Sequence, residues 1–321
     1  MKCLALSLFF CLSLPALAQS ASYEKRPEVR SFVREMAKRH GFEERELTSV
    51  FARVERSEPV LAAIRKPPEP QVWADYRALF LTEKRIEGGV AFSLEHRDLL
   101  SRAERAYGVP GEVIVAIIGI ETFYGRNTGR WRVIDALTTL AFDHPPRSRF
   151  FRGELESYLL LARDNGHDVL TMRGSYAGAI GIPQFMPSST RAYAVDFDGN
   201  GIIDLRESVA DAIGSVASFL AKHGWQPGAP VHLTPALEGN AWRDYTGLEP
   251  RHSLSELRAA GVRLETDVLP QTRAVVVDLG SEVRVGLRNF YVITRYNRSA
   301  LYAAAVTDLA GALREHQSPG K

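Results

Sequence analysis

One glutamate stands at the end of a long apolar stretch of the chain. Residues 111–120 read Gly-Glu-Val-Ile-Val-Ala-Ile-Ile-Gly-Ile, and Glu121 follows directly. A helix that is apolar all round is buried, and both burial and the partial negative charge of a helix C-terminus raise the pKa of a carboxyl group. The pattern therefore predicts an acid that is still protonated near neutral pH and can donate a proton to a leaving oxygen.

Two interpretations of Glu121 stay open at the level of the residues. Buried charges are usually paired, so a structural ion pair with Arg126 or Arg130 explains the glutamate as well as a catalytic role does. Gly125 and Gly129 follow closely and are expected to break the helix. Such a break can open space in front of the acid.

A glycine-rich segment, residues 174–189, is the second candidate for a site. Its glycines let the backbone approach a ligand closely. Ser175 and Gln184 carry neutral hydrogen-bonding groups of the kind that a sugar requires. Tight helix packing through small residues explains the same pattern without a ligand. The segment also offers three larger apolar faces, those of Tyr176, Phe185 and Met186.

Residues 196–207 match the calcium-binding loop of EF-hand proteins. Gly201 lies at the sharp turn, and hard oxygen ligands suit Ca²⁺ better than a transition metal. An acidic surface turn is the simpler alternative. A lone loop in a chain with four methionines is typical of a structural ion rather than of a sensor with a Met-rich groove. The expected ligands are the side chains of Asp196, Asp198, Asn200, Asp204 and Glu207 and the backbone carbonyl of Ile202.

Other common catalytic patterns are missing from the sequence. The eight histidines form no His-x-x-x-His pair or other metal-ligand cluster, which leaves zinc catalysis little support. The sequence contains neither a Gly-x-Ser-x-Gly nucleophile motif nor a Walker A loop. The candidate chemistry therefore rests on Glu121.

The composition is that of a globular protein. The chain has 321 residues, of which 45% are hydrophobic and 24% are charged. This length is enough for about two domains and a large core. Basic residues exceed acidic ones by only two, 40 against 38, which gives no argument for a nucleic-acid partner.

The first 18 residues have the pattern of a secretory signal peptide. Lys2 precedes an apolar run at residues 3–14, and residues 16–18 (Ala-Leu-Ala) supply a small-residue cleavage site. Both cysteines of the chain lie inside this segment, so we expect an exported protein with no disulfide. No apolar run is long enough to span a bilayer, which predicts no transmembrane segment.

The periodicity of apolar residues predicts helices over most of the chain and strands near its end. Helical patterns dominate up to His223, and residues 226–230 form a turn-rich break. After the break, short β-branched segments favour strands. Helices are expected at Pro27–His40, Glu43–Val54, Ser57–Ile64 and Ser299–Glu315, and strands at Arg273–Leu279, Glu282–Gly286 and Phe290–Thr294.

Five motifs resemble those of the lytic murein transglycosylase B family and follow one another in the same order. The resemblance extends from about Tyr23 to Leu313, nearly all of the expected mature chain. The motifs are Glu121–Arg126, Ser175–Gly181 with Pro183–Ser189, the expected calcium loop, Asp211–Ala217 and Asn289–Asn297.

The resemblance implies an α+β fold that is mainly α. It implies a lysozyme-like helical core, an additional helical region and a small antiparallel β domain. We expect the following boundaries: an N-terminal helical region at 19–95, the catalytic core at 96–226, the β domain at 227–298, and a C-terminal helix at 299–321 that packs back on the helical region.

The resemblance also implies a function, the cleavage of the β-1,4 bond between N-acetylmuramic acid and N-acetylglucosamine in peptidoglycan. Glu121 corresponds to the catalytic acid/base, and the calcium loop corresponds to a structural ion site with no organic cofactor. Glycan strands are the expected partner, and other cell-wall enzymes are candidate partners. The positions that correspond to a glycan groove are Ser175, Gln184, Tyr296 and Asn297, and with a weaker match Tyr76, Arg147, Phe219 and Tyr302.

Two features depart from the family pattern. Relatives often carry an Arg pair where this chain has Pro146-Arg147, so one substrate contact differs. Some relatives carry a lipid-attachment Cys at the signal cleavage site, and this chain has none there. We therefore expect a soluble periplasmic form.

No second carboxylate stands out beside Glu121, although most glycosidases use two. We therefore expect a substrate-assisted mechanism in which the C6 hydroxyl of the muramic acid closes on C1 and leaves a 1,6-anhydro end. A hydrolytic muramidase is the nearest alternative. A non-catalytic peptidoglycan-binding protein and a calcium-dependent adhesin or sensor are the others.

Overall fold

The structure is a computed structural model, and it is described for residues 22–66 and 72–317. The expected signal peptide at residues 1–18 lies outside the described residues. The chain divides into two compact units, Met1–Glu55 and Arg56–Lys321. The finer division at residues 95, 226 and 298 stays a prediction.

The first unit contains two α-helices in its described part. The helix α1 begins with a proline in its first turn and ends at Gly41, which has the left-handed φ of +69° that favours glycine. The helix α2 packs on it through Phe32 and Phe51, whose rings meet edge to face with centroids 6.0 Å apart. The bounds are α1 (Pro27–His40) and α2 (Glu44–Phe51).

The second unit holds the other described helices. The bounds of its α-helices are α3 (Glu58–Arg65), α4 (Trp73–Phe80), α5 (Glu83–Glu95), α6 (Arg97–Tyr107), α7 (Gly111–Thr122), α8 (Val133–Asp143), α9 (Ser148–Asp164), α10 (Pro187–Tyr193), α11 (Val209–Lys222), α12 (Leu254–Ala259), α13 (Arg288–Thr294) and α14 (Ala300–Gln317). Short 3-10 helices occur at Pro145–Arg147 and Ala241–Tyr245. In the described residues no helix combines the length and the apolar character needed to cross a bilayer.

The strands are short and antiparallel. The largest sheet has the order β3-β8-β7-β5, and its central pair is held by the register Val275↔Gly286 to Asp278↔Val283. The bounds are β1 (Trp131–Arg132), β2 (Arg173–Gly174), β3 (His232–Leu233), β4 (Ala236–Leu237), β5 (His252–Ser253), β6 (Val262–Arg263), β7 (Arg273–Asp278) and β8 (Val283–Gly286). An α+β fold that is mainly α is confirmed.

The strand expected at Phe290–Thr294 is wrong, because this segment is part of α13. Phe290, Ile293 and Thr294 are buried, whereas Arg295 is exposed. Val292 is buried as well, so the segment is enclosed on most sides, and this tertiary packing outweighs the weak β preference of Val, Ile and Thr. The buried amide of Asn289 binds the backbone of residues 226 and 229, which fixes the start of the helix.

The helix α7 lies at the centre of the main core. Its residues from Val113 to Gly119 are all buried, and it packs against α5, α6, α11 and α14. This burial on every face confirms the expectation from its uninterrupted apolar sequence. Glu121 therefore lies in the last turn of an element that is enclosed by the core.

The chain leaves α7 through an unusual backbone. Phe123, Tyr124 and Gly125 have φ values of +52°, +63° and +82° in succession, and the first two are residues that rarely adopt the left-handed region. The Tyr124 hydroxyl donates to the carbonyl of Arg85, 2.8 Å away. A Cβ at Gly119 would lie 2.7 Å from that hydroxyl oxygen, so the glycine leaves the space that the Tyr124 ring occupies.

We predict that Gly119→Ala destabilises the protein by about 1–3 kcal/mol, because the new methyl overlaps the enclosed Tyr124 ring. The matched control is Gly153→Ala in α9, where a Cβ meets nothing within 4 Å. That change should stabilise the helix by roughly 0.5–1 kcal/mol. Denaturant unfolding measures both changes. Equal effects of the two substitutions would contradict the steric role of Gly119.

Candidate active site

Glu121 lies in the wall of a cleft of about 470 Å³. Its side chain is partly exposed, so one side faces the cleft while protein encloses the rest. Within the described part of the chain it is the only acidic residue that lines this cleft. The lining residues are Glu121, Arg147, Phe150, Phe151, Ala177, Gln184, Met186, Tyr296, Asn297 and Arg298.

The surroundings of Glu121 favour its protonated form. Loss of hydration raises the pKa of its carboxyl group from 4.5 to about 7. The Tyr302 hydroxyl donates to Oε1 at 2.7 Å and opposes part of this rise, because it stabilises the charged form. A group with a pKa near 7 can both give and take a proton at neutral pH.

The expected alternative, an ion pair of Glu121 with Arg126 or Arg130, is not formed. The Arg126 guanidinium lies over the ring of Phe123, 5.0 Å from its centroid. The Arg130 guanidinium lies 4.8 Å from the ring of Trp131. Tyr302 is the hydrogen-bond partner that the structure gives Glu121 among the described residues.

Three tyrosines surround the acid. The rings of Tyr296 and Tyr302 are stacked, with centroids 6.4 Å apart and 12° between their planes. The Tyr296 hydroxyl donates to the carbonyl of Pro183 at 2.6 Å. Burial, and after it the nearby charge of Glu121, raises the pKa of Tyr76 to about 12 and that of the other two well above 10. All three therefore remain neutral donors at physiological pH.

Gln184 is held in a single orientation on the cleft wall. Its backbone has a φ of +51°, which is uncommon for a residue with a side chain. Its Nε2 donates to the carbonyls of Gly181 (2.8 Å) and Thr128 (3.1 Å). Since carbonyls only accept, the amide nitrogen is committed to them, and the amide oxygen is the group left to accept from a ligand.

Ser175 is engaged within its own loop. Its Oγ accepts from the backbone N–H groups of Ala177 and Ala179, at 3.3 and 3.0 Å. This contact shapes the segment that carries Ala177 into the cleft wall. The structure therefore gives Ser175 a loop-ordering contact, and its hydroxyl hydrogen stays available as a donor.

The remaining expected residues occupy different positions. Arg147 is exposed on the cleft wall, with its guanidinium 4.5 Å from the ring of Phe150. Asn297 is exposed on the same wall. Phe219 is instead buried in the core, where its ring packs 4.9 Å from that of Tyr296. Its contact with the cleft is therefore indirect, through Tyr296.

Sequence reasoning missed part of the wall. Phe150 is exposed although it is large and apolar, and Arg298 directly follows two expected residues. The exposure of Phe150 is visible only in the structure, so no direct signal for it was present in the sequence. Arg298 had no signal beyond its position, because many arginines of this chain are exposed.

The acidic loop at 196–207 is strongly organised by its own side chains. Asp196 accepts from the backbone N–H groups of Gly199, Asn200 and Gly201, at 2.8, 3.1 and 2.7 Å. These bonds lower the pKa of its carboxyl group, the bond from Gly201 most of all. Gly201 has a φ of +88°, which confirms the sharp turn expected there.

The structure brings together only some of the expected calcium ligands. Carboxylate oxygens of Asp196, Asp198 and the buried Asp211 all lie within 4.8 Å of one another. Asp211 was missed, and its oxygens accept from the N–H groups of Phe197 and Asp204, so it also braces the loop. Glu207 is not part of this close group.

The flanking helices explain the position of Glu207. The helix α11 begins at Val209, with the Ser208 side chain accepting from the Asp211 N–H at its N-terminus. Glu207 therefore precedes the exit helix, and its N–H donates to Asp204.

Asn200 Oδ1 accepts from the N–H of Ile202. The donors present are carboxylate, amide and carbonyl oxygens, which fit a hard cation such as Ca²⁺.

The chain matches known proteins over most of its length. Residues 24–311 match a family described as Transglycosylase SLT domain. The membrane-bound lytic murein transglycosylase B of Escherichia coli (strain K12) is 40% identical over 311 residues, which cover 92% of this chain and 85% of that protein. The chain belongs to the lytic murein transglycosylase B family.

Solved structures of lytic transglycosylases share the fold. SltB1 from Pseudomonas aeruginosa is 48% identical with a TM-score of 0.89, covering 92% of this chain and 100% of that one. E. coli Slt35 in complex with calcium is 40% identical with a TM-score of 0.83, covering 91% and 94%. SltB3 from P. aeruginosa in complex with NAG-anhNAM-pentapeptide is 30% identical with a TM-score of 0.81, covering 92% and 80%. The lysozyme-like fold expected for this transglycosylase family member is confirmed.

We predict that Tyr302→Phe moves the titration of the Glu121 carboxyl group to a pH above 7. The substitution removes a donor to the carboxylate, so the charged form loses stabilisation and the proton is held to a higher pH. Carbon-13 NMR of the glutamate carboxyl groups follows the titration directly. The control is Tyr296→Phe, which loses a hydroxyl bonded to Pro183 and should leave the midpoint near its native value. A midpoint that falls in the Tyr302→Phe variant would contradict this assignment.

Proposed function

We propose that this protein is a lytic transglycosylase that cleaves the β-1,4 bond between N-acetylmuramic acid and N-acetylglucosamine in peptidoglycan. The observation that carries the proposal is a protonatable carboxyl group, with a pKa of about 7, on the wall of a cleft large enough for sugar rings. Membership of the family supports the same substrate.

Protonated Glu121 starts the reaction by donating to the glycosidic oxygen, and the N-acetylglucosamine side leaves as an alcohol. The 2-acetamido carbonyl of the muramic acid stabilises the positive charge that develops at C1. Ionised Glu121 then takes the proton of the C6 hydroxyl, whose oxygen bonds to C1 and closes the 1,6-anhydro ring. The glutamate is protonated again, so one group performs both proton transfers.

A single acid in the cleft favours this route over the two-carboxylate mechanisms. Those mechanisms need a second carboxylate, as nucleophile or as base for water. In the described part of the chain, Glu121 is the sole acidic residue among those that line the cleft. A nucleophile supplied by the substrate itself fits such a cleft, and its intramolecular closure gains a high effective concentration.

The cleft wall supplies groups that can orient the reacting sugar. The Gln184 amide oxygen and the exposed Asn297 amide suit the hydroxyl and acetamido groups of the glycan. Phe150 and Met186 offer apolar faces for the sugar rings. Tyr302 acts through Glu121, because its hydroxyl is hydrogen-bonded to the carboxyl group and its side chain is buried rather than exposed to the cleft.

We also propose that the loop at 196–207 binds one Ca²⁺ ion as a structural element. The clustered Asp196 and Asp198 carboxylates and the turn at Gly201 support it, and the related Slt35 is known in complex with calcium. The helix α11 follows the loop, and Asp211 ties the loop to it. An ion there would hold the start of α11 against α10.

The same proposal places the enzyme in the periplasm. The signal-like sequence at residues 1–18 supports export, and the missing Cys at the cleavage point supports a soluble form without a lipid anchor. Peptidoglycan lies in that compartment, so location and substrate agree. The mass of the protein isolated from the periplasmic fraction tests cleavage after Ala18.

We predict that Glu121→Gln retains binding to glycan strands and lowers the rate of cleavage by about 1,000-fold, because the amide cannot donate the proton. The control is Glu112→Gln in the same helix, outside the cleft, which should cleave normally. Turnover of purified sacculi is followed by mass spectrometry of the soluble products. Wild-type products should end in anhydro-muramic acid, one water lighter than reducing ends.

Each other outcome of this experiment points to a named alternative. Reducing ends from the wild type identify a hydrolytic muramidase. Binding to sacculi without any products identifies a non-catalytic peptidoglycan-binding protein. Near-normal turnover by the Glu121→Gln variant would remove Glu121 from the mechanism.

We predict that Ca²⁺ raises the melting temperature by roughly 5 °C over the chelated protein, since an ion that binds only the folded state stabilises it. Asp196→Asn should abolish this difference, whereas Asp267→Asn, an exposed residue far along the chain, should keep it. Differential scanning calorimetry with Ca²⁺ and with chelator measures both. Identical melting curves of the wild type in the two buffers would exclude a structural calcium site.

A further inference from the structure

A second cavity, of about 430 Å³, lies next to the cleft that holds Glu121. One wall is the segment at residues 246–252, which leads into β5, and it is backed by Val275 of β7. The opposite wall is α13 with the turn that follows it. The residues with charged or hydrogen-bonding side chains in its wall are Thr246, Glu249, Arg251, His252, Tyr291, Thr294, Arg295 and Arg298.

The turn at residues 295–298 joins this cavity to the cleft. Tyr296 and Asn297 line the cleft, and Arg295 lines the second cavity. Arg298 lines both. A substrate bound in the cleft can therefore extend past Arg298 into the second cavity without leaving the protein surface.

The charge of this cavity is positive. Arg251 is paired with Glu249, with 2.6 Å between Nη2 and Oε2. Within the described residues neither Arg295 nor Arg298 has an ion-pair partner, and both are exposed. Two guanidinium groups are thus left to bind anionic groups, and guanidinium prefers carboxylates in a bidentate arrangement.

From this juxtaposition we propose that the second cavity binds the acidic stem peptide of peptidoglycan through Arg295 and Arg298. The inference rests on the proposed function and adds a specificity site to it. The stem peptide is attached to the lactyl group of the muramic acid whose C1 bond is broken, so it starts at the cleft. It carries free carboxylates, whose charge is opposite to that of the two guanidinium groups.

The reach of the peptide agrees with the arrangement of the two cavities. A stem of four residues spans about 13 Å when extended. Arg298 belongs to the wall of both the cleft and the second cavity, so the two adjoin at this residue. Arg295 then meets the peptide beyond the point where the sugar contacts end.

The test compares two substrates that differ only in the peptide. Glycan strands with tetrapeptide stems are cleaved in parallel with the same strands after an amidase has removed the stems. Arg295→Gln should lower kcat/KM about tenfold for the stem-bearing strands, the loss expected for a charge-assisted hydrogen bond, and leave cleavage of the stem-free strands nearly unchanged. Arg295→Lys keeps the charge and should restore part of the loss.

Two further variants make the test independent of folding defects. Glu249→Gln removes the negative charge from the cavity and should raise the preference for stem-bearing strands. Arg263→Gln, an exposed arginine paired with Glu238 elsewhere in the sheet region, should alter neither substrate. A gain in one variant and a loss in another cannot both come from destabilisation.

The results separate this inference from the proposed function. If Arg295→Gln lowers kcat/KM by the same factor on both substrates, or changes it on neither, the stem-peptide site is refuted. The proposed transglycosylase activity is unaffected by that result. If the wild type cleaves neither substrate, the proposed function itself fails.

Discussion

The structure depends on keeping the Glu121 carboxyl group out of bulk water. An ionised carboxylate in apolar surroundings is costly, so the group holds its proton up to a pH of about 7 instead of 4.5. Between these values the folded chain binds a proton that the unfolded chain has lost, so this group makes stability fall as pH rises through that window. Above pH 7 the group is ionised in the folded chain as well, so its contribution to the loss of stability no longer grows with pH. The same burial gives the group a pKa of about 7, which suits the acid role proposed for Glu121.

The elements around Glu121 keep its carboxyl group away from bulk water. The helix α7 is buried on every side, and the left-handed residues after it turn the chain away within three positions. A backbone with such φ values persists only where the surrounding packing holds it in place. Tyr124 supplies that packing, since its ring fills the space left by glycines on α5 and α7.

Local sequence predicted the elements whose signals are local. The proline and glycine at the ends of α1, the apolar run of α7 and the β-branched run of β7 each contain their own signal. The segment at Phe290–Thr294 misled because its residues favour strands, while its tertiary packing and the hydrogen bonds of the Asn289 amide favour a helix. Those determinants come from distant parts of the chain, so no local pattern reveals them.

The candidate site shows the same division. The burial of Glu121 is predictable because it follows from its neighbours in sequence. Its hydrogen bond from Tyr302 joins residues 181 positions apart, so no local pattern indicates it. Asp211 was missed in the acidic loop for a similar reason, because it lies on the exit helix and not in the loop pattern. What joins these pairs is the packing of α14 on α7 and the hydrogen bonds from the loop to Asp211 on α11.

One short turn, at residues 295–298, lies between the cleft that holds Glu121 and the second cavity. Residues 295–298 are placed by α13 on one side and α14 on the other, and α14 also carries Tyr302 to the acid. The proposed intramolecular ring closure needs one protein acid, which would leave the rest of the cleft and the neighbouring cavity for recognition. A shift of α14 would therefore change the proton affinity of Glu121 and the position of the turn together. In the proposed enzyme, α14 would thus link proton transfer at Glu121 to recognition at the turn.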